Sequence, residues 1–189
     1  MPSSFTAALA FTLVEEGSTL CDDPDTRQPS KYGITPSLLR SLQRLHTRDA
    51  VESITLADAT DLYKKYFWDS ASLDDIQDQT LATKIFDLRI DMGMAPAIWC
   101  VQQAVNSLLS LLSSSSPPTA PSTAPSTAKK LPVSGKCDAA TVSAVNALDP
   151  QALLEQLRVQ ASIRYVRDAL LRPDKGKHIA GKLARLARG

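Results

Sequence analysis

Apolar residues recur at helical spacing from the start of the chain. Phe5, Leu9 and Leu13, with Ala8 and Phe11 beside them, form one wide apolar face, so the first stretch reads as a helix. Ser3 or Ser4 can cap its start and Gly17 can stop it, which leaves Glu15 and Glu16 in the last turn. Residues 18–31 lose the periodicity and are rich in Ser, Asp, Pro and Thr, as turns are. Tyr32-Gly33-Ile34 then reads as a short strand, part of a small hairpin at most. Thr35-Pro36 opens a second helix as cap and first residue. Thr55 and Asp58 have capping-box spacing ahead of a helix that runs to about Trp68. Further helices are expected from Thr80 to Met92, with Gly93 as the stop, and from Pro96 to near Leu112.

Residues 113–130, SSSSPPTAPSTAPSTAKK, break the pattern. Such a segment cannot bury a core and is expected to project as a linker or surface loop. Beyond it, Asp138 caps a short helix to about Leu148. Asp149-Pro150 starts a longer one with Leu153, Leu154, Leu157, Ala161 and Tyr165 on one face. Pro173 ends that helix, and a short basic helix follows.

Composition sharpens this picture at three points. Aromatics make up only 5% of the 189 residues, against 43% hydrophobic residues overall, which favours a helical core over an aromatic-rich sandwich. The net charge of +1 excludes an obvious nucleic-acid binder. That average hides a cationic end: from Arg164 onward, eight basic residues face Asp168 and Asp174, a local charge of +6. A tail of this kind suits an anionic outer-membrane or cell-wall surface, although a solvated helix face is the commoner explanation. Cys21, Cys100 and Cys137 are irregularly spaced, and only His46 and His178 could join them, so neither a zinc site nor a disulfide framework is expected. No segment is long enough to span a bilayer. The apolar N-terminal run lacks a preceding positive region and reads as a helix of the fold rather than a signal peptide.

The candidate chemistry lies at the end of the first helix. A carboxylate in a last turn is disfavoured by the helix dipole, which raises its pKa in the direction a general acid needs. Asp25 follows Glu16 on the polar turn, and two carboxyl groups so placed are the parts that glycoside hydrolysis uses. Acidic pairs at this spacing are common by chance, so the pair alone does not decide.

The surrounding block is more specific. EGSTLCDDPDTRQPSKYGIT, Glu16 to Thr35, resembles without a gap the signature of the N-acetylmuramidases of glycoside hydrolase family 108. LADATDLYKKYFW (Leu56 to Trp68) is similar to the family's helix that closes on a tryptophan. LATKIFDLRIDMGMAPAIWCVQQAV (Leu81 to Val105) resembles its LAxxxFDxxVNxGxxxAxxxLQ segment. SGKCDAATVSAV (Ser134 to Val145) is similar to its DGxxGxxT region, and the closing segments echo it weakly. The chain departs from the pattern at Ser18, Arg27, Gln28, Lys31 and Asp91.

The resemblance implies a mainly α, lysozyme-like fold with at most a small β-hairpin after the first helix. It implies a catalytic lobe over 1–80 and a helical, peptidoglycan-binding-like lobe over 81–189. It implies an enzyme, acting without cofactor or metal, that cuts bacterial peptidoglycan between N-acetylmuramic acid and N-acetylglucosamine. The family's catalytic glutamate maps onto Glu16. Glu15 is its rival, but only one of two neighbours about 100° apart can face a cleft, and Gly17 stands after Glu16 as the motif requires. Asp25 is the expected carboxylate partner. Ser30, Tyr32, Trp68, Asp87, Asp91 and Gln103 are the expected substrate contacts. Packing is the bland alternative for Trp68, and hydrogen-bonded anchoring for Asp87 and Asp91. The implied setting is a monomeric phage endolysin or virion-associated lysin, made in the host cytoplasm and delivered to the wall by a holin, phage or secretion system. The rival from another class is a non-catalytic wall-binding or virion structural protein on the same scaffold.

Overall fold

The computed structural model describes residues 3–188 except 18, 23–27, 43, 45–46 and 115–129, and only the backbone of 173–175. The fold is a stack of helices with a two-stranded hairpin at one end. α1 spans Phe5–Glu16, with the Ser4 hydroxyl accepting from the Ala7 N–H as its cap. β1 (Cys21–Asp22) and β2 (Pro29–Ser30) pair antiparallel, Cys21 opposite Ser30. α2 (Pro36–Ser41), α3 (Arg48–Glu52) and α4 (Leu56–Tyr63) follow, each capped by a threonine: Thr35, Thr47 and Thr55. The capping box of Thr55 and Asp58 forms as expected.

α4 does not run straight to Trp68. It passes into a π-helical turn, Lys64–Trp68, and then into two short 3-10 turns. Buried Arg89 holds this irregular stretch. Its guanidinium donates to the Phe67 carbonyl at 2.8 Å, the Tyr66 carbonyl at 3.3 Å and the Ser70 hydroxyl at 2.7 Å. Carbonyls that a regular helix would satisfy are met by a side chain instead. Burial lowers the Arg89 pKa to about 10.

α5 (Gln79–Asp91) is the central helix, packed against α1 on one side and α6 (Met94–Ser114) on the other. Phe5, Tyr63, Phe67, Trp68 and Phe86 meet edge to face, with ring centroids 5.6–6.1 Å apart. Trp68 is 0% exposed within this cluster, and its indole N–H donates to Asp74 at 2.7 Å. It is a core residue and not a cleft wall. An indole at the end of the π-helical turn gains more by closing the aromatic core than by facing water.

α7 (Ala139–Ala147), α8 (Pro150–Leu171) and α9 (Ile179–Ala187) complete the stack, α8 lying along α6 and α9 along α8. Residues 115–129 of the Ser/Pro/Thr segment lie outside the described residues. The chain beyond them is tied back to α6. Asn106 donates to the Leu131 carbonyl at 2.9 Å and accepts its N–H at 2.7 Å. Fully buried Gln102 accepts from the N–H groups of Ser134 and Gly135 and donates to the Lys136 carbonyl and the Thr141 hydroxyl.

The basic C-terminus is not a free tail. α9 packs its Leu186 into the core and turns Lys182, Arg185 and Arg188 onto carboxylates of α1 and α5. A large share of the expected positive surface is thus neutralised inside the fold.

Candidate active site

α1 ends at Glu16 because Gly17 takes φ +73, a left-handed conformation that a side chain disfavours, and returns its N–H to the Leu13 carbonyl. The two glutamates of this last turn meet different surroundings. Glu15 is gripped by Arg188, whose Nε and Nη2 donate at 2.8 and 2.7 Å. That hydrogen-bonded pairing holds its carboxyl below the usual range, so Glu15 stays ionised. Glu16 is covered to about the same degree, 18% exposed against 16% for Glu15, but it lies against Arg185 and the turn at Gly33. Burial raises its pKa above the usual carboxyl range, and the charges of Asp91 and Asp87 push the same way; Arg185 opposes them. The direction matches the helix-end argument, but burial is the largest cause.

Arg185 does not cancel the effect because its charge is shared. Its Nη2 lies 2.7 Å from Glu16 Oε1 and 2.7 Å from Asp87 Oδ1, while Nε adds a second bond to Asp87 at 3.1 Å. Asp87, only 2% exposed, takes the larger part of the guanidinium. Burial lowers the Arg185 pKa, but the two carboxylates outweigh it and hold the group cationic. Asp87 is therefore the anchor of Arg185 and not a substrate contact. Asp91, one turn further along α5, is likewise engaged, by the Tyr165 hydroxyl and Lys182.

A tight turn closes the other side of Glu16. Lys31 and Ile34 exchange backbone hydrogen bonds at 3.2 and 2.9 Å around Tyr32 (φ 54) and Gly33 (φ 76). This is a two-residue hairpin turn with both central residues left-handed, not the strand expected over 32–34. The Tyr63 hydroxyl donates to the Tyr32 carbonyl at 2.7 Å and ties the turn to α4. Burial raises the Tyr63 pKa, so the hydroxyl keeps its proton for this bond.

Gly33 is required here for space as well as backbone. A Cβ on it would stand 2.6 Å from Glu16 Oε2 and 2.7 Å from the Tyr63 hydroxyl oxygen. Gly33→Ala is expected to cost about 1–3 kcal/mol from the backbone alone and to displace the acid. A misplacement of about 1 Å costs about 10²-fold in turnover. Thermal melting and digestion of purified peptidoglycan check the two parts. Tyr63→Phe strands the Tyr32 carbonyl and is expected to cost about 1–3 kcal/mol, read from the denaturant midpoint.

The structure thus gathers Glu16, the Tyr32-Gly33 turn, Tyr63, Arg185 and Asp87. Ser30 sits nearly buried in β2, three residues before Gly33. Gln103 is exposed on α6 beside the buried Gln102. Asp25 lies outside the described residues. Tyr63 and Arg185 are the members that sequence reasoning missed. The available signal was charge spacing: Lys182, Arg185 and Arg188 fall at i, i+3 and i+6, facing Asp87 and Asp91 on α5 and the Glu15-Glu16 pair on α1.

Residues 9–93 match the family described as Glycosyl hydrolase 108. They form a glycosyl hydrolase 108 domain. The protein is a glycoside hydrolase, and the matched region holds Glu16, Gly33, Tyr63, Asp87 and Asp91, while Arg185 lies beyond it. None of the curated proteins matches the chain. Among solved structures it is similar to Brucella abortus SagA, at 20% identity and a TM-score of 0.71, over 96% of this chain and 90% of that one. That likeness shows a shared, mainly helical fold along nearly the whole length, α6 to α9 included.

Proposed function

We propose that the protein is an N-acetylmuramidase that hydrolyses the glycan strand of bacterial peptidoglycan, with Glu16 as its general acid. One observation carries this reading: of the two consecutive glutamates, about equally covered, only Glu16 has its pKa raised, while Arg188 holds that of Glu15 down, and Glu16 occupies the motif position of the catalytic glutamate. In its protonated form Glu16 gives its proton to the glycosidic oxygen. The bond from the anomeric carbon to that oxygen breaks as charge builds on the sugar, and water completes the hydrolysis. When the proton leaves, Arg185 already stands 2.7 Å from Oε1 and meets the new carboxylate. Asp25 remains the proposed partner that orients water or stabilises the sugar cation. The Tyr32-Gly33 turn is proposed as the floor against which the sugar is seated.

The substrate and place of action rest on the family. The proposed setting is the cell wall, reached from the host cytoplasm by holin-, phage- or secretion-mediated delivery, as for an endolysin or virion-associated lysin. Mass spectrometry of digested, purified peptidoglycan tests the reaction. Fragments with reducing-end muramic acid are expected. Free peptide stems would make the enzyme an amidase, and an undigested wall would favour the non-catalytic binder.

A further inference from the structure

α8 has two faces. Leu153, Leu154, Leu157, Ala161 and Tyr165 are buried against the core. At about 100° per residue, Val159, Ile163, Val166 and Leu170 fall on the opposite face, in a straight stripe roughly 16 Å long. These four side chains are 43–77% exposed, and Leu171 beside them is exposed too. Ser162, Ile163, Val166, Arg167, Leu170 and Leu171 line a shallow depression. An aligned set of large apolar side chains in water is a feature that needs a partner, unlike singly scattered ones.

The charges beside the stripe indicate which partner. Arg164 is neutralised by Asp168 at 2.9 Å, but exposed Arg167, Arg172 and Lys177 form no ion pair among the described residues. Glu155, at the far end of α8, is held by Arg158. The C-terminal end of the stripe is therefore apolar with a cationic rim. A second copy docking through the same patch would bring this rim onto itself, since a two-fold interface pairs a surface with its own copy. No described helix is long and apolar enough to cross a membrane, so the face suits a bilayer surface and not its interior. We propose that this outer face of α8 docks on an anionic phospholipid bilayer, Ile163, Val166 and Leu170 entering the headgroup boundary and Arg167 and Arg172 meeting lipid phosphates. The surface is separate from the glycan-cleaving groups, so lipid binding does not depend on the muramidase reading.

Cosedimentation of the full chain with vesicles tests this. Binding is expected to vesicles of phosphatidylcholine with 30% phosphatidylglycerol (about that share suffices to set a negative surface potential), and not to phosphatidylcholine alone. Arg167→Gln with Arg172→Gln is expected to weaken partitioning roughly 25-fold, about fivefold for each cation. Ile163→Ser with Leu170→Ser is expected to weaken it at least about tenfold. Both double variants should digest isolated peptidoglycan as the wild type does, which shows that they are folded. Failure to bind the anionic vesicles, or full binding by either double variant, overturns the proposal. A concentration-dependent dimer that is lost in Ile163→Ser with Leu170→Ser, without vesicle binding, assigns the face to a second copy instead.

Discussion

Glu16→Gln is expected to lower peptidoglycan cleavage by about 10³-fold or more, because it removes the dissociable proton while keeping the shape of the side chain. Glu15→Gln is the matched control. Its carboxyl is committed to Arg188, and its loss should change turnover by no more than about threefold, since a partly exposed pair contributes little. Equal losses in the two variants would remove the distinction that their surroundings make. Stability should move the other way. The folded-state pKa of Glu16 is raised by burial, so the protonated acid favours the fold and the ionised form weakens it. The Glu16 contribution is fully present below the ordinary carboxyl range and is lost as pH rises through the elevated value. Glu16→Gln, neutral throughout, should therefore melt higher than wild type near pH 7, and the gap should close as pH falls towards 4. A melting gap that widens on acidification would mean that Arg185, not burial, sets the carboxyl. An acid kept uncomfortable in the resting fold is a known way in which function is held at the expense of stability.

The helical frame was legible where a capping side chain announces the start of a helix. Ser4, Thr35, Thr55, Asp138 and Asp149 cap the helices assigned to them from sequence, and the apolar face of α8 is the one that is buried. The end of α4 was not legible, because a π-helical turn has no composition of its own. It exists through Arg89, a buried cation more than twenty residues away that takes its carbonyls. The strand expected over 32–34 is a turn for a related reason. Tyr32-Gly33 has strand composition at Tyr32, yet the positive φ at both positions makes it the turn, and the anchor is the hydroxyl of Tyr63 on another helix. The candidate site divides the same way. Glu16 could be read from its motif, whereas Asp87 and Asp91 look like cleft carboxylates until α9 is seen to cover them. Local pattern cannot show that a cation 98 residues downstream returns to Asp87.

The largest expected effect on stability lies at that return. Arg185→Gln leaves Asp87, 2% exposed, without its counter-charge. Removing one partner of a buried ion pair costs about 3–5 kcal/mol. For a chain of this size that is a fall in melting temperature on the order of 10 °C. Combining Arg185→Gln with Asp87→Asn removes the stranded charge and should recover much of the loss, a coupling that a double-mutant cycle reads directly. The effect on catalysis has its own sign. Arg185 draws the Glu16 pKa down against burial, so without it the acid stays protonated to higher pH. The alkaline limb of kcat/KM for Arg185→Gln, assayed well below its melting point, should shift upward. Arg185→Lys keeps the charge but not the planar fork that reaches two carboxylates at once. It should therefore lose part of the stability and leave the limb close to that of wild type. An alkaline limb that stays in place in Arg185→Gln would confine Arg185 to its pairing with Asp87. A shift that appears there but not in Arg185→Lys shows that the charge of α9 sets the pH at which Glu16 can act as an acid.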